Sequence, residues 1–249
     1  MLFRSPGVAR PTATAEQKLE RRVRRAAAAR GLNEAVTWSF ISEAEAGAFG
    51  GGAWRLANPI SEELKVMRPS LLPGLLSAAA RNMKRGAESV RLFEIGRRYL
   101  ADRERVTLGV VLAGDKAPRG WQTGKAQAFD AYDAKAEALA LLAEAGAPVD
   151  NLQGFGEAGE AWHPGRSGTL RLGPRTVLAA FGIINAVVAL VINPWRHDRL
   201  PDRFPTIVQD AVVIGLFALA ATVMLQERVF AATAAGAVVL GLALQNTLG

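Results

Sequence analysis

Few side chains of this sequence have the type and spacing that acid–base, nucleophilic or metal chemistry requires. The 249 residues include no cysteine and two histidines, His163 and His197, which lie in regions of different composition. A thiolate zinc site, a cysteine nucleophile and a histidine-rich metal site are therefore excluded. His163 precedes Pro164 and Gly165, where a structural turn is a more frequent role for a lone histidine than a catalytic triad. No glycine-rich phosphate-binding loop lies between a predicted strand and a predicted helix.

The charged residues are concentrated in the first 182 residues. The net charge of the chain is +7, while residues 183–249 hold four basic and four acidic residues and so contribute nothing to it. A basic segment favours a polyanionic partner such as RNA, or serves only solubility. Two interpretations also stay open for the arginines of the first predicted helix, which either contact RNA phosphates or form a solvated face. These arginines are Arg21, Arg22, Arg24, Arg25 and Arg30.

The elements that must position these side chains indicate an α+β domain. A capping box at Thr14 and Gln17 begins a helix that Gly31 ends, and helices are also predicted after Ser42, after Pro69 and over 129–146. Period-two alternation, with Val36, Trp38 and Phe40 on the apolar face, predicts a strand. Further strands are predicted at 54–61, 89–100 and 106–114, and a hairpin at 168–182. Because strands and helices intermix without a regular βαβ rhythm, the sheet is predicted to be mainly antiparallel.

The C-terminal part has a different pattern. Residues 206–226 carry one charge near their start, and residues 229–249 carry none. About twenty apolar residues span a bilayer, so both segments are candidate transmembrane helices; buried helices of a soluble protein are the alternative. Two small-xxx-small pairs would let such helices pack closely. They are Ala232 with Gly236 and Ala237 with Gly241.

Five motifs follow one another in the first part of the chain. They are RGLNEAVTWSFIS, ANPISEELKVMRPSLLPGLLSAAARNMKRG, VRLFEIGRRY, DAYDAKAEALALL and WHPGRSGTL. Together, in this order, they resemble the catalytic-like core of the β chain of bacterial phenylalanyl-tRNA synthetases over about residues 14–182. The resemblance implies a class II aminoacyl-tRNA synthetase-like antiparallel sheet with flanking helices, and a cytoplasmic location for this part.

The resemblance also implies that this module is a non-catalytic copy. In the family, ATP, magnesium and phenylalanine are handled by the α chain, so this chain alone is expected to bind no cofactor or metal. Its expected partner is the α chain, with tRNA reached indirectly. The residues agree, because Glu94 and Arg97 do not stand in the Arg-x-Glu order that class II catalysis needs. No Glu-Arg pair follows near the last motif.

Two groups of residues within these motifs are candidate site residues. The first group is the expected subunit interface and consists of Arg68, Pro69, Leu71, Leu72, Pro73, Leu75 and Leu76. Each of its leucines could equally fill the domain's own core. The second has no assigned role: Asn58, Pro59, Glu94, Gly96, Arg97, His163, Pro164 and Gly165.

Residues 183–249 resemble a different family, the membrane region of small-conductance mechanosensitive channels. A channel fragment with an N-terminal fusion, self-associating in an inner membrane, is therefore the alternative function. The expected domains are a linker (1–13), the synthetase-like core (14–182), a junction and loop (183–205) and a transmembrane helical segment (206–249). The expectation for the junction between Gly182 and Ile183 is that two truncated genes were joined there.

Overall fold

Four α-helices and nine strands make up residues 13–184, the part of the chain that this computed structural model describes. The helices are α1 (Ala15–Ala29), α2 (Glu43–Ala48), α3 (Leu72–Lys84) and α4 (Ala131–Glu144). The strands are β1 (Asn33–Glu34), β2 (Phe40–Ile41), β3 (Val66–Met67), β4 (Ser89–Tyr99), β5 (Glu104–Ala117), β6 (Gln127–Ala128), β7 (Gln153–Phe155), β8 (Trp162–Leu172) and β9 (Thr176–Ile184). This confirms the expected mixture of α and β elements.

The sheets are mainly antiparallel. The largest has the strand order β1-β4-β5-β6, and its centre is the antiparallel pair β4–β5, in register from Ser89 opposite Gly114 to Tyr99 opposite Glu104. Strand β1 is the exception, because it pairs with β4 in parallel. Strands β7, β8 and β9 form a separate antiparallel sheet, and β2 pairs with β3.

Helices cover both faces of the β4–β5 pair. Successive side chains of a strand point to opposite faces, so Val90 and Val111 lie with the α3 side chains in one apolar cluster. Phe93 and Leu112 face the other way, into a second cluster that includes residues of α1 and α4. Burial on both faces makes β4 and β5 the rigid centre of the domain.

The helix ends follow the sequence prediction. At the start of α1, the Gln17 amide donates to Thr14 Oγ1 over 3.2 Å, and the Thr14 amide donates to Gln17 Oε1 over 3.1 Å. Ser42 and Asp130 cap α2 and α4 in the same way. Gly31, with φ +80°, follows α1 and supplies the left-handed conformation that other residues adopt at a cost.

Two predicted strands differ in the structure. Over 34–41, only the two ends of the segment are strands. The predicted apolar face is on the outside at its centre, where Val36 is 90% exposed and Trp38 is 71% exposed, while Thr37 points inward. The prediction of one continuous strand over 34–41 was wrong, and Thr37 instead of Val36 or Trp38 faces the interior, which is polar at this point. Over 54–61, a single bridge from Arg55 to Val66 replaces the predicted strand.

Strand β9 continues past Gly182. Ile183 and Ile184 are buried in the α3 cluster, and Trp162 of β8 pairs with Ile184. The strand thus extends two residues beyond the expected boundary at Gly182, and these two residues complete the core, while the origin of the segment that follows stays a prediction.

The two expected membrane helices, 206–226 and 229–249, lie outside the described residues, as do Ala232, Gly236, Ala237 and Gly241. Within residues 13–184, no helix has the length and apolar character needed to cross a bilayer.

Candidate functional site

A buried ion pair links the start of α3 to the centre of the sheet. Arg68 precedes α3 and Glu94 lies on β4, and both are about 4% exposed. Arg68 Nη1 donates to Glu94 Oε1 over 2.8 Å, and Arg68 Nε donates to the carbonyl oxygen of Arg97 over 3.0 Å. A buried charge is tolerated only when it is paired and hydrogen-bonded, and both conditions are met here.

Thr37 completes this pair into a three-residue polar cluster, defined here as Thr37, Arg68 and Glu94. Its Oγ1 donates to Glu94 Oε2 over 2.6 Å and accepts from Arg68 Nη1 over 2.8 Å. Its amide also donates to Glu94 Oε1 over 3.3 Å. Sequence reasoning missed Thr37, although its place between two apolar residues of an alternating segment marked it as the residue on the opposite face.

Two glycines make room for the polar cluster. A Cβ added at Gly96 would lie 2.5 Å from Arg68 Nη2, and one at Gly74 would lie 2.3 Å from Thr37 Oγ1. Real Cβ contacts are longer than this, so both positions require the absence of a side chain. Gly96 had no assigned role in the sequence, and its role is to admit the arginine.

The apolar residues of the expected subunit interface face the chain's own core. Leu71, Leu75 and Leu76 are fully buried in the cluster between α3 and the sheet, and Leu72 packs against it while partly exposed. Pro69 and Pro73 are buried too. Packing within the domain accounts for the buried side chains, and their role at a subunit interface stays a prediction.

The remaining sequence candidates are dispersed. Asn58 is exposed and Pro59 half-buried in an irregular segment. His163 lies on β8, not in a turn, and its Nδ1 atom is buried without a hydrogen-bond partner among the described residues. Pro164 and Gly165 are exposed on the same strand. None of these side chains forms a hydrogen bond or ion pair with the polar cluster among the described residues. Arg97 turns outward to Glu104, its Nη1 atom donating to Glu104 Oε2 over 2.5 Å.

Two arginines in or next to the polar cluster, Arg68 and Arg97, are paired with carboxylates. The hydrogen bond that Arg97 donates to Glu104 raises the pKa of Arg97 above its usual value, and Arg68 is bound to Glu94. Both cations therefore have carboxylate partners within the chain. No group of three or more metal-ligating side chains is present within residues 13–184.

The arginines of α1 mostly make contacts within the domain. Arg24 bonds Glu20 and Glu34, each over 2.7 Å, and these bonds raise its pKa. Arg30 bonds Glu137 of α4 over 2.6 Å. Arg22 reaches the carbonyl oxygen of Ala145, and Arg25 that of Arg21. The structure favours a helix face that docks α1 on β1 and α4 over a face that is free to bind RNA.

An open cavity of about 360 Å³ adjoins the start of α3. Its wall comes from the glycine loop at 49–53, Pro69 and the end of β4 with the following turn. Arg98 is the one charged residue of this wall, and its Nε atom has no hydrogen-bond partner among the described residues. No acidic side chain among the described residues lines the cavity, so its wall offers Arg98 no carboxylate partner.

The comparison with protein families matches residues 4–191 to the family described as the phenylalanyl tRNA synthetase beta chain CLM domain. The phenylalanine–tRNA ligase beta subunit of Novosphingobium aromaticivorans is 70% identical over 195 residues, which is 76% of this chain and 24% of that protein. That of Zymomonas mobilis is 61% identical over 192 residues, 77% of this chain and 24% of that protein. The chain thus spans about a quarter of the length of the curated relatives it matches.

Among solved structures, a pyrrolysyl tRNA synthetase of Desulfitobacterium hafniense aligns with 17% identity and a TM-score of 0.49, over 72% of this chain and 62% of that one. A likeness at this score carries no argument about fold or function.

Proposed function

This chain belongs to the phenylalanyl-tRNA synthetase β chain family, and from that premise we propose that it is a structural, non-catalytic part of a phenylalanine–tRNA ligase β subunit. It acts by contact with an α chain. In the complete ligase, ATP and magnesium are bound by the α chain, and the fold of this part is class II-like. Formation of phenylalanyl-tRNA is then a property of the assembled ligase.

The observation that carries the proposal is the exposed pair Val36 and Trp38 on a fixed backbone. Thr37 between them is bonded to Glu94 and Arg68, and the Arg68 amide donates to the carbonyl oxygen of Ser39 over 2.9 Å. The two large apolar side chains are therefore held in solvent by the interior beneath them. Trp is enriched among the residues that dominate binding energy at protein interfaces. A partner that covers this pair gains the free energy of burying apolar surface.

The polar cluster supports a structural role for this segment. The Glu94 carboxylate is buried and both of its oxygens accept hydrogen bonds, so it is unavailable to a substrate in solvent. A general acid or base must come within hydrogen-bond distance of the reacting group, which this position prevents. The cluster instead fixes the register between α3, β4 and the segment that bears Trp38.

Co-purification with the α chain tests the proposal. The full chain, carrying an affinity tag, is co-expressed with a phenylalanyl-tRNA synthetase α chain from a close relative. The affinity of the complex is then measured by surface plasmon resonance. We expect a stable complex, and we expect Trp38→Ala to weaken it about tenfold or more. Trp121→Ala removes another exposed tryptophan and serves as the matched control, with no expected effect on assembly.

Two outcomes would overturn this proposal. One is a folded full chain that does not associate with the α chain. The other is a complex whose affinity is the same for the wild type and Trp38→Ala. The alternative, a fragment of a membrane channel, rests on residues 183–249, which lie outside the described residues, and the relatives reported above do not favour it.

A further inference from the structure

We propose that the loop over 118–125, called the tip loop below, binds unpaired RNA nucleotides by stacking a base on Trp121. This rests on the proposed function, in which RNA is the substrate of the assembled ligase, and it adds a direct RNA contact within this chain. The tip loop joins β5 to β6, away from the polar cluster in the sequence and in the sheet order.

Trp121 is 93% exposed although the tip loop is hydrogen-bonded. Gly120 and Gly124 form an antiparallel bridge, in which the Gly124 amide donates to the Gly120 carbonyl over 2.8 Å and the reverse bond measures 3.2 Å. Thr123 Oγ1 donates to the Pro118 carbonyl over 3.0 Å. The indole is thus presented to solvent by a closed turn, and stacking a base on it requires little further ordering of the backbone.

The base of the tip loop is fixed to the domain. Lys116 Nζ bonds Asp133 of α4 over 2.6 Å, and Arg91 Nη2 donates to the Lys116 carbonyl over 2.9 Å. On the other side, Phe129 is buried beneath the Arg91 guanidinium, 4.8 Å from the ring centroid. These contacts hold both ends of the loop against the sheet and α4.

Two cations flank Trp121 and no carboxylate accompanies them. Arg119 and Lys125 are exposed, and neither makes an ion pair with a described residue. Residues 118–129 contain no acidic residue, and the acids that follow are engaged: Asp130 caps α4 and Asp133 bonds Lys116. The tip loop therefore carries a local charge of +2 around one exposed aromatic ring.

This combination fits single-stranded RNA better than a protein partner. Proteins that bind unpaired nucleotides without sequence preference use aromatic rings for the bases and basic side chains for the phosphates. A protein interface instead surrounds its central aromatic residue with further apolar surface. The neighbours of Trp121 within the tip loop, Gln122 and Thr123, are polar and exposed.

Fluorescence anisotropy with RNA probes tests the proposal on the full chain. The probes are a fluorescein-labelled single-stranded RNA of about twelve nucleotides and the same strand annealed to its complement. We expect Trp121→Ala to weaken single-strand binding by about 5-fold to 100-fold, and Trp121→Phe to restore most of the affinity. Binding to the duplex, whose bases are already stacked, should not change between wild type and Trp121→Ala. Trp38→Ala is the matched control, with wild-type affinity for both probes.

The cations have a separate readout. Replacing Arg119 and Lys125 together by glutamine should make the dependence of log affinity on log salt shallower by about 1.4 for the single strand. The proposal is overturned if Trp121→Ala binds the single strand like wild type, or if it weakens both probes equally. It is also overturned if Trp121→Ala instead abolishes association with the α chain. The association with the α chain is tested by Trp38→Ala, and RNA binding is tested by Trp121→Ala. The two proposals can therefore fail independently.

Discussion

Arg68 and Glu94 meet in the interior of the domain, with Nη1 and Oε1 2.8 Å apart and both side chains about 4% exposed. They are separated by 26 positions in the chain, and their contact joins the start of α3 to the central strand β4. Thr37 adds the segment that bears Val36 and Trp38. The cluster therefore adds side-chain hydrogen bonds to the backbone pairing of β1 with β4 and holds three parts of the chain in one register.

Removing one partner of this pair is expected to destabilise the domain strongly. Arg68→Met leaves the Glu94 carboxylate buried without its counter-charge, and such losses cost about 3–5 kcal/mol of unfolding free energy. Urea unfolding followed by circular dichroism measures the change. Arg97→Gln, which breaks an exposed ion pair on the same strand, is the control and should unfold at nearly the wild-type midpoint. Equal midpoints for Arg68→Met and Arg97→Gln would show that the buried pair does not stabilise the domain.

Gly96→Ala is expected to disturb the polar cluster without changing any charge. The new Cβ would lie 2.5 Å from Arg68 Nη2, and that guanidinium is pinned by Glu94, Thr37 and the Arg97 carbonyl. Overpacking of this kind costs about 1–3 kcal/mol. Gly47→Ala in α2 is the control, because nothing lies within 4 Å of its Cβ and alanine is the better helix former, by up to about 1 kcal/mol. Thermal unfolding should move in opposite directions for the two variants; a Gly96→Ala protein as stable as wild type would contradict the tight fit.

The purified chain is expected to show no phenylalanine-dependent exchange of pyrophosphate into ATP. The positioned charges that stabilise phosphate transfer contribute several kcal/mol, and two of the arginines that could supply them, Arg68 and Arg97, are paired with Glu94 and Glu104. The exchange assay, with the α chain alone and the mixture of both chains as comparisons, checks this expectation. Activity of the chain alone that is lost on replacing Arg97, or the exposed Arg166 of strand β8, would show that the module is catalytic.

Local patterns were enough to predict most of the elements. Helix caps are made by residues three positions apart, so the capping box of Thr14 with Gln17 was predicted before any tertiary contact was known. The long strands β4 and β5 and the hairpin of β8 and β9 were predicted for a similar reason, because alternation and turn residues are also local. Five motifs in fixed order likewise predicted the family.

The tertiary structure decided which faces are inside. Alternation over 34–41 defines two faces but does not say which one meets the interior, and Thr37 points inward because its partners come from positions 68 and 94. The leucines of α3 could belong to a subunit interface or to the core, because both are apolar. Only the packing of α3 on β4 and β5 assigns them to the core. Ile183 and Ile184 belong to the domain for the same reason, since strand β8 and helix α3 provide their contacts. Each decision depended on residues distant in the chain, whose meeting is a property of the folded state and leaves no trace in local spacing.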